Sequence, residues 1–293
     1  MKTRYVVGGI LLTGIFAILF TAYPAWRKAS DNGGQQPATP FNIAGNLYYV
    51  GANDVTAFLL VDDSGHVLID GGYPGTASMI LNSVRELGFS PRDIKWQLNT
   101  HAHLDHAGGL ADIQSHTGAT VLASHDSAQI LRRGGQSDTM LGPLSFLTHL
   151  PFLQYPPVTD VQAFSDNKVL ELGSHRLTPV STPGHMPGCT SWYFPVTDRG
   201  VQHHVLLSCG LSPPLTLTLF KDKNTIEAFE KSFLQLEALD VDIFLTPHAR
   251  TFGRWKKYQQ NLQNLSEPNA FIDRPGWQQY LKSARQRVDE AAR

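Results

Sequence analysis

Residues 100–106 read THAHLDH, so three histidines and an aspartate lie within six consecutive positions. Imidazole and carboxylate groups are side chains that bind zinc in proteins, and two compact groups of them suit two zinc ions. Alternate residues of a strand share a face, so His101 and His103 can point to the same side. The turn that follows can bring Asp105 and His106 round to it. A lone histidine is more often structural than a ligand, but four ligand-type residues at this spacing favour a metal site.

The elements on either side would hold this segment in place. The sequence predicts a short strand over Trp96–Asn99 and a helix over Gly109–Thr117, so the histidines lie where a strand ends and a helix begins. Gly108 and Gly109 lack a β-carbon, which lets the backbone pass close beneath bound metals. The metal site is therefore predicted at the carboxyl end of a strand.

Strands and helices alternate along the rest of the chain, which predicts a layered α/β sandwich. The further predicted strands are Leu47–Val50, Thr56–Asp62, Val67–Asp70, Thr120–Ala123, Lys168–Leu172, Leu177–Ser181, Thr190–Val196, His203–Ser208 and Ile243–Leu245. The further predicted helices are Thr76–Leu87, Thr225–Leu239, Lys256–Leu265 and Trp277–Ala291. The Gly- and Pro-punctuated stretch over residues 134–155 has no clear period. We interpret its apolar part, Leu141–Phe152, as a lid over the site, with ordinary packing as the alternative.

The first 40 residues differ in composition from the rest. Two basic residues precede an uncharged apolar run from Tyr5 to Tyr23, the pattern of an export signal, and the run is close to the ~20 residues that a spanning helix needs. We predict a signal peptide or membrane anchor over residues 1–29, a flexible linker over residues 30–40 and a catalytic domain over residues 41–293. The catalytic domain is then expected in the periplasm or another extracytoplasmic space.

Charge and cysteine content narrow the classes of partner and compartment. A formal net charge of −1 argues against a nucleic acid or an anionic membrane surface as the main partner, and a small-molecule substrate is expected instead. Two cysteines, Cys189 and Cys209, are too few for a disulfide framework. For Cys209 a buried free thiol is the preferred interpretation, a bridge to Cys189 the second, and an approach to a metal the third.

Several segments together resemble the metallo-β-lactamase superfamily. Residues 101–106 have its HxHxDH signature, and residues 67–72 (VLIDGG) resemble its early strand that ends in an aspartate. Residues 182–188 (TPGHMPG) and 245–248 (LTPH) resemble the segments that carry its remaining histidine ligands. This resemblance covers nearly all of the chain after the linker. It implies an α/β fold built as a four-layer αββα sandwich.

Within the superfamily, the segment PGHMPGCTSW (residues 183–192) is similar to the PGHTPGSTSW pattern of the subclass B3 β-lactamases. Carried over residue by residue, the resemblance implies two Zn²⁺ per chain. The first would be held by His101, His103 and His185, and the second by Asp105, His106 and His248. Asp70 would hold the metal-binding segment in place. Ser212 would contact a carboxylate of the substrate.

These assignments imply a zinc-dependent β-lactamase, which would confer antibiotic resistance. Two zinc ions about 3.5–4 Å apart can share a hydroxide, because metal binding lowers the pKa of water from about 15.7 towards about 7. As a hypothesis, this hydroxide attacks the β-lactam carbonyl, with Asp105 as the catalytic side chain that orients it.

Two alternatives remain open. A related hydrolase could act on a lactone, a thioester or another cyclic amide. Many such relatives carry a metal-bridging aspartate where residues 209–212 here read CGLS, which argues against that interpretation. The B3 enzymes usually have a serine at the position of Gly210. A non-catalytic zinc-binding module is the alternative from another class, although structural zinc sites are normally closed by four protein ligands.

Overall fold

The computed structural model describes residues 34–165, 168–263 and 268–293. The predicted signal peptide or anchor over residues 1–29 lies outside these described residues, as does the first part of the predicted linker. Residues 34–40 run beside the domain, where Gln36 O accepts a hydrogen bond from Asn53 N at 2.8 Å and Pro37 pairs with Ala52. Among the helices of the three described ranges, none combines the length and hydropathy needed to span a bilayer.

Seven strands form the first sheet and pair in the order of the chain. They are β1 (Phe41–Ala44), β2 (Leu47–Tyr49), β3 (Phe58–Leu60), β4 (His66–Ile69), β5 (Ile94–Leu98), β6 (Thr120–Ala123) and β7 (Val161–Ala163). The strands from β1 to β4 are antiparallel, and those from β4 to β7 are parallel. Because β4 and β5 run parallel with Ile69 opposite Leu98, the residues that follow both strands lie side by side.

Five strands form the second sheet, in the order β12-β11-β10-β9-β8. They are β8 (Leu170–Leu172), β9 (His175–Ser181), β10 (Thr190–Asp198), β11 (Val201–Leu207) and β12 (Ile243–Leu245). Only the β11–β12 pair among them is parallel. The carboxyl ends of β11 and β12 therefore meet at one edge, and the loop between β9 and β10 lies beside them.

Helices cover the outer faces of both sheets. The described α-helices are α1 (Ala77–Glu86), α2 (Leu104–Ala107), α3 (Leu110–Thr117), α4 (His125–Arg132), α5 (Leu215–Thr218), α6 (Lys223–Glu237), α7 (Arg254–Gln263) and α8 (Arg274–Ala292). Successive residues of β4 point to opposite faces, and both faces are buried. Leu68 packs in one cluster with Ile80 of α1, whereas Ile69 packs in another with Trp192 of the second sheet. Since that second cluster also contains Phe229 of α6, the predicted four-layer αββα sandwich is confirmed.

The predicted elements are found with small shifts of their bounds, and Thr120–Ala123 and Ile243–Leu245 are found unchanged. Five strands and α-helices of the described residues were not predicted: β1, β7, α2, α4 and α5. Over residues 134–155 the chain forms 3₁₀ turns in place of an open loop, over Thr139–His149 with a non-helical kink at Gly142, and over Pro151–Leu153.

Candidate metal centre

All six predicted ligands lie together at one end of the sandwich. Four of them follow β5, His185 lies in the loop between β9 and β10, and His248 follows β12. They form two trios, within each of which the potential ligand atoms lie no more than 4.8 Å apart. The first trio is His101, His103 and His185, and the second trio is Asp105, His106 and His248. These are the same two groups that the resemblance implies, and metal binding by them stays a prediction.

The imidazoles of the first trio are packed together, an arrangement that disfavours their protonated, positively charged forms. The rings of His101 and His103 are 4.6 Å apart, and Nε2 of His185 lies 3.2 Å from Nδ1 of His103. Burial and the neighbouring imidazoles hold the pKa of His101 well below its usual range and lower the pKa of His185 to about 3. These two rings are therefore neutral at neutral pH, the state in which an imidazole binds a metal.

In the second trio a carboxylate lies between two imidazoles. Oδ2 of Asp105 is 3.2 Å from Nε2 of His106 and 3.6 Å from Nε2 of His248. Burial alone would raise the pKa of Asp105, but the attraction of His106 and His248 outweighs burial and brings it below the usual range. A carboxylate and two imidazoles facing one point are a donor set that fits zinc.

Each imidazole of the first trio directs its other ring nitrogen to an oxygen atom. Nδ1 of His101 lies 3.0 Å from Oγ1 of Thr100, and Nδ1 of His185 lies 2.9 Å from the backbone O of Ser212. Nε2 of His103 faces Oδ2 of Asp138 at 3.2 Å. An acceptor on one ring nitrogen fixes the tautomer and leaves the lone pair of the other nitrogen for a metal.

Asp70 joins the ends of β4 and β5, as the resemblance implies. Its carboxylate accepts hydrogen bonds from Thr100 N at 2.8 Å, Thr100 Oγ1 at 2.7 Å and Asn99 Nδ2 at 3.2 Å. Burial raises its pKa to about 6, although the neighbouring His106 and the bonds from Thr100 act in the opposite direction. Asp70 also adopts a positive φ of 62°, a backbone conformation that few residues other than glycine adopt. It thus holds the backbone from which His101 follows, and its effect on a bound metal stays a prediction.

The two glycines after the histidine segment lie close to residues 71–74, and their predicted passage beneath bound metals stays a prediction. A β-carbon on Gly109 would lie 2.3 Å from Gly71 O, and one on Gly108 would lie 2.2 Å from Cδ of Pro74. The nearby backbone N of Gly71 donates to His106 O at 2.8 Å. This close approach is what holds α2 on the end of β4.

The preferred interpretation of Cys209 was wrong, because Cys209 forms a disulfide with Cys189. The physical reason is the register of β10 and β11, in which Trp192 is opposite Leu207. Residues just beyond this pair come together, and the two cysteine Cα atoms are 5.8 Å apart, within reach of a bridge. Both cysteines are buried, and the bridge lies beneath His101.

Residues 210–212 pass directly beside His185. A β-carbon on Gly210 would lie 2.8 Å from Cδ2 of His185, so any larger residue there must displace the ring or the backbone. Ser212 is exposed, and its hydroxyl lies 3.2 Å from Nδ1 of His185. Ser212 therefore lies at the rim of the centre, where a substrate would pass, and its contact with substrate stays a prediction.

Both ends of the 134–155 segment are fastened to the histidine segment. Asp138 faces His103, and the hydroxyl of Tyr155 donates to Ala102 O at 2.7 Å. The middle is more open, since Phe146 is 57% exposed. These contacts suit either a lid or ordinary packing, so the lid stays a prediction.

Sequence reasoning did not find three side chains that support the centre, Asp54, Asp138 and Tyr155. Asp54 and Asp138 lie far along the chain from the histidines that they contact, and Tyr155 lies far from its hydrogen-bond partner Ala102. Asp54, for example, is 194 residues from its partner His248. No local spacing connects such pairs, and only the folded arrangement reveals them.

Comparison with known proteins agrees with this geometry. Residues 50–198, about half of the chain, match the metallo-beta-lactamase superfamily. The chain belongs to the metallo-β-lactamase superfamily. Its structure is similar to that of BJP-1, a subclass B3 metallo-beta-lactamase of Bradyrhizobium japonicum. The similarity covers 89% of this chain and 96% of that chain, with 30% sequence identity and a TM-score of 0.80.

Sequence relatives within the superfamily have other activities. A hydroxyacylglutathione hydrolase of Maricaulis maris is 31% identical over 135 residues, which cover 46% of this chain and 41% of that enzyme. An N-acyl homoserine lactonase of Bacillus thuringiensis is 24% identical over 203 residues, covering 60% of this chain and 70% of that enzyme. Membership of the superfamily therefore supports a metal-dependent hydrolase that acts on a small molecule.

Proposed function

We propose that this superfamily member is a zinc-dependent β-lactamase that binds two Zn²⁺, one on each trio. The observation that carries the proposal is the presence of both complete trios on a chain whose folded part is similar along its length to a subclass B3 enzyme. Fold alone does not decide the substrate, so the proposal depends on the site.

The residues of the site have separate parts in the proposed reaction. Bound zinc would supply a Lewis acid and would lower the pKa of water towards neutral. Asp105 is ionised and directs Oδ2 towards both imidazoles of the second trio, and we expect Oδ1 to orient the attacking water. We expect the hydroxyl of Ser212, exposed at the rim beside His185, to donate a hydrogen bond to a substrate carboxylate.

The segment over residues 209–212, which reads CGLS, favours a β-lactam over the substrates of the sequence relatives. Lactonase-like and thioesterase-like members of the superfamily often have a metal-bridging aspartate after the strand that corresponds to β11. In this chain Cys209 is buried and forms the disulfide with Cys189, so it offers no bridging carboxylate. Hydrolysis of a lactone or thioester is nevertheless the second candidate function, favoured by the similarity to the Maricaulis and Bacillus enzymes.

We extend the proposal to the location of the protein. Residues 1–29 would direct export or anchor the chain, residues 30–40 would be a linker, and residues 41–293 would be active in the periplasm or another extracytoplasmic space. The disulfide supports this location, because such bridges form and persist in oxidising compartments. There the enzyme would protect the cell against β-lactam antibiotics.

The test is hydrolysis of a carbapenem and a cephalosporin by the purified protein, first with zinc and then with a chelator. A homoserine lactone and a glutathione thioester are assayed beside them, and His103→Ala is the matched control. We expect turnover of a β-lactam that the chelator and the substitution both abolish. Turnover of only the lactone or thioester would replace the proposal with the second candidate. A folded protein that binds zinc and hydrolyses none of them would favour the non-catalytic zinc module.

A further inference from the structure

The loop between β2 and β3 is paired with the loop that carries His248. Val55 forms an antiparallel bridge with His248, and Thr56 N donates to Pro247 O at 3.0 Å. Ala249 N donates to Asp54 O at 2.7 Å. The backbone around Asp54 is thereby fixed relative to the backbone of the ligand, so the Asp54 side chain has a defined place beside the imidazole.

The Asp54 carboxylate contacts the ring nitrogen of His248 that faces away from the metal centre. Its Oδ2 lies 3.0 Å from Nδ1 of His248 and also accepts a hydrogen bond from the guanidinium of Arg250. Its Oδ1 accepts from Arg250 N at 3.3 Å. Nδ1–H of His248 is thus the donor to Asp54, and Nε2 is left facing Asp105 at 3.6 Å.

His248 depends on such a contact more than its neighbour His106 does. The side chain of His106 is 1% exposed and enclosed by packing, whereas that of His248 is 31% exposed. A partly exposed imidazole that lacks an acceptor on Nδ1 can rotate and can carry its proton on either nitrogen.

We propose that Asp54 is a positioning residue of the second trio, which fixes the tautomer and orientation of His248 and so sets the affinity for the second metal. This inference rests on the part of the proposed function that places a metal on that trio, and it is independent of the substrate. Such outer contacts typically change metal affinity by about 10–100-fold.

The test is a zinc competition titration of the full-length protein with a chromophoric chelator, which measures both dissociation constants. In Asp54→Ala the second zinc should bind about 10–100-fold more weakly, with the first constant unchanged. Asp54→Asn keeps an oxygen acceptor for Nδ1–H and should restore part of that loss. Arg250→Gln is the matched control, since it removes the other partner of the carboxylate. It should stay within about fivefold of the wild type, because an exposed ion pair contributes little.

Two reference variants show which zinc dissociation constant belongs to which trio. His248→Ala removes a ligand of the second trio, and Asp138→Asn alters a carboxylate that faces the first trio. The proposal is overturned if Asp54→Ala leaves both constants unchanged, weakens both equally, or is matched by Arg250→Gln. Because no hydrolysis is measured, a protein that binds two zinc ions and cleaves no β-lactam would refute the proposed substrate and leave this inference standing. A wild type that binds no second zinc would overturn this inference together with the two-zinc assignment.

Discussion

Removing the disulfide between Cys189 and Cys209 should destabilise the protein by about 3 kcal/mol. The bridge closes a loop with a sequence separation of 20 residues. For a loop of that length, the chain-entropy relation gives a loss of about 11 cal/mol/K in the unfolded chain, or about 3 kcal/mol at 25 °C. That is a large part of the roughly 5–15 kcal/mol by which domains are usually stable. The variant is Cys189→Ala/Cys209→Ala, which leaves no thiol beneath His101.

The assay is equilibrium unfolding in urea of the metal-free wild type and variant, with extrapolation to water. Metal-free protein is used so that weaker zinc binding does not add to the difference. Reduced wild type should unfold like the variant, and the reductant should leave the variant unchanged. A loss below about 1 kcal/mol would refute the loop-closure reasoning, because the closed loop then contributes far less than its length requires.

Three further changes have defined outcomes. His103→Ala should lose one zinc and all metal-dependent turnover; near-wild-type activity would remove it from the centre. Gly109→Ala places a β-carbon 2.3 Å from a backbone oxygen and should lower the free energy of unfolding by about 1–3 kcal/mol. An unchanged urea midpoint would contradict this. Hydrogen bonds from Ser174 hold the pKa of Asp62 below its ordinary value of 3.8. The ionised carboxylate therefore stabilises the fold above pH 3.8, and this stabilisation is lost as the pH falls through the lowered pKa. Asp62→Ala should therefore lower the urea midpoint more at neutral pH than in acid. An equal effect at the two pH values would refute the lowered pKa of Asp62.

Local patterns were sufficient to single out four of the six candidate ligands and most of the sandwich, whereas His185 and His248 were found through the family resemblance. The HxHxDH spacing places four ligand-type residues beside one another whatever the rest of the fold, and apolar periodicity identifies the helices and central strands. The missed elements are short or weakly patterned. β7 has only three residues, of which one is buried, and β1 has four. For α4 a signal was present, since Ser124 caps the helix by accepting from Ser127 N, and it was overlooked.

The supporting side chains and the disulfide required tertiary information. The contact between Asp54 and His248 depends on two loops that pair only after both sheets have formed. A separation of 20 residues does not by itself bring two cysteines together. It does so here because β10 and β11 pair in the register that places their ends side by side. The type of a residue thus predicted the chemistry it can take part in, but it did not predict which residue it contacts in the fold.

The place of the disulfide bears on how the protein matures. Both cysteine sulfurs lie within 4.8 Å of a ring nitrogen of His101, so before oxidation two thiols and an imidazole would surround one point. Thiolates bind zinc strongly, and an ion arriving at that stage would meet sulfur ligands as well as the first trio. Once the sulfurs are joined, only nitrogen donors remain there. We therefore expect correct assembly to require bridge formation before metal loading, an order that an oxidising, zinc-containing compartment outside the cytoplasm would favour.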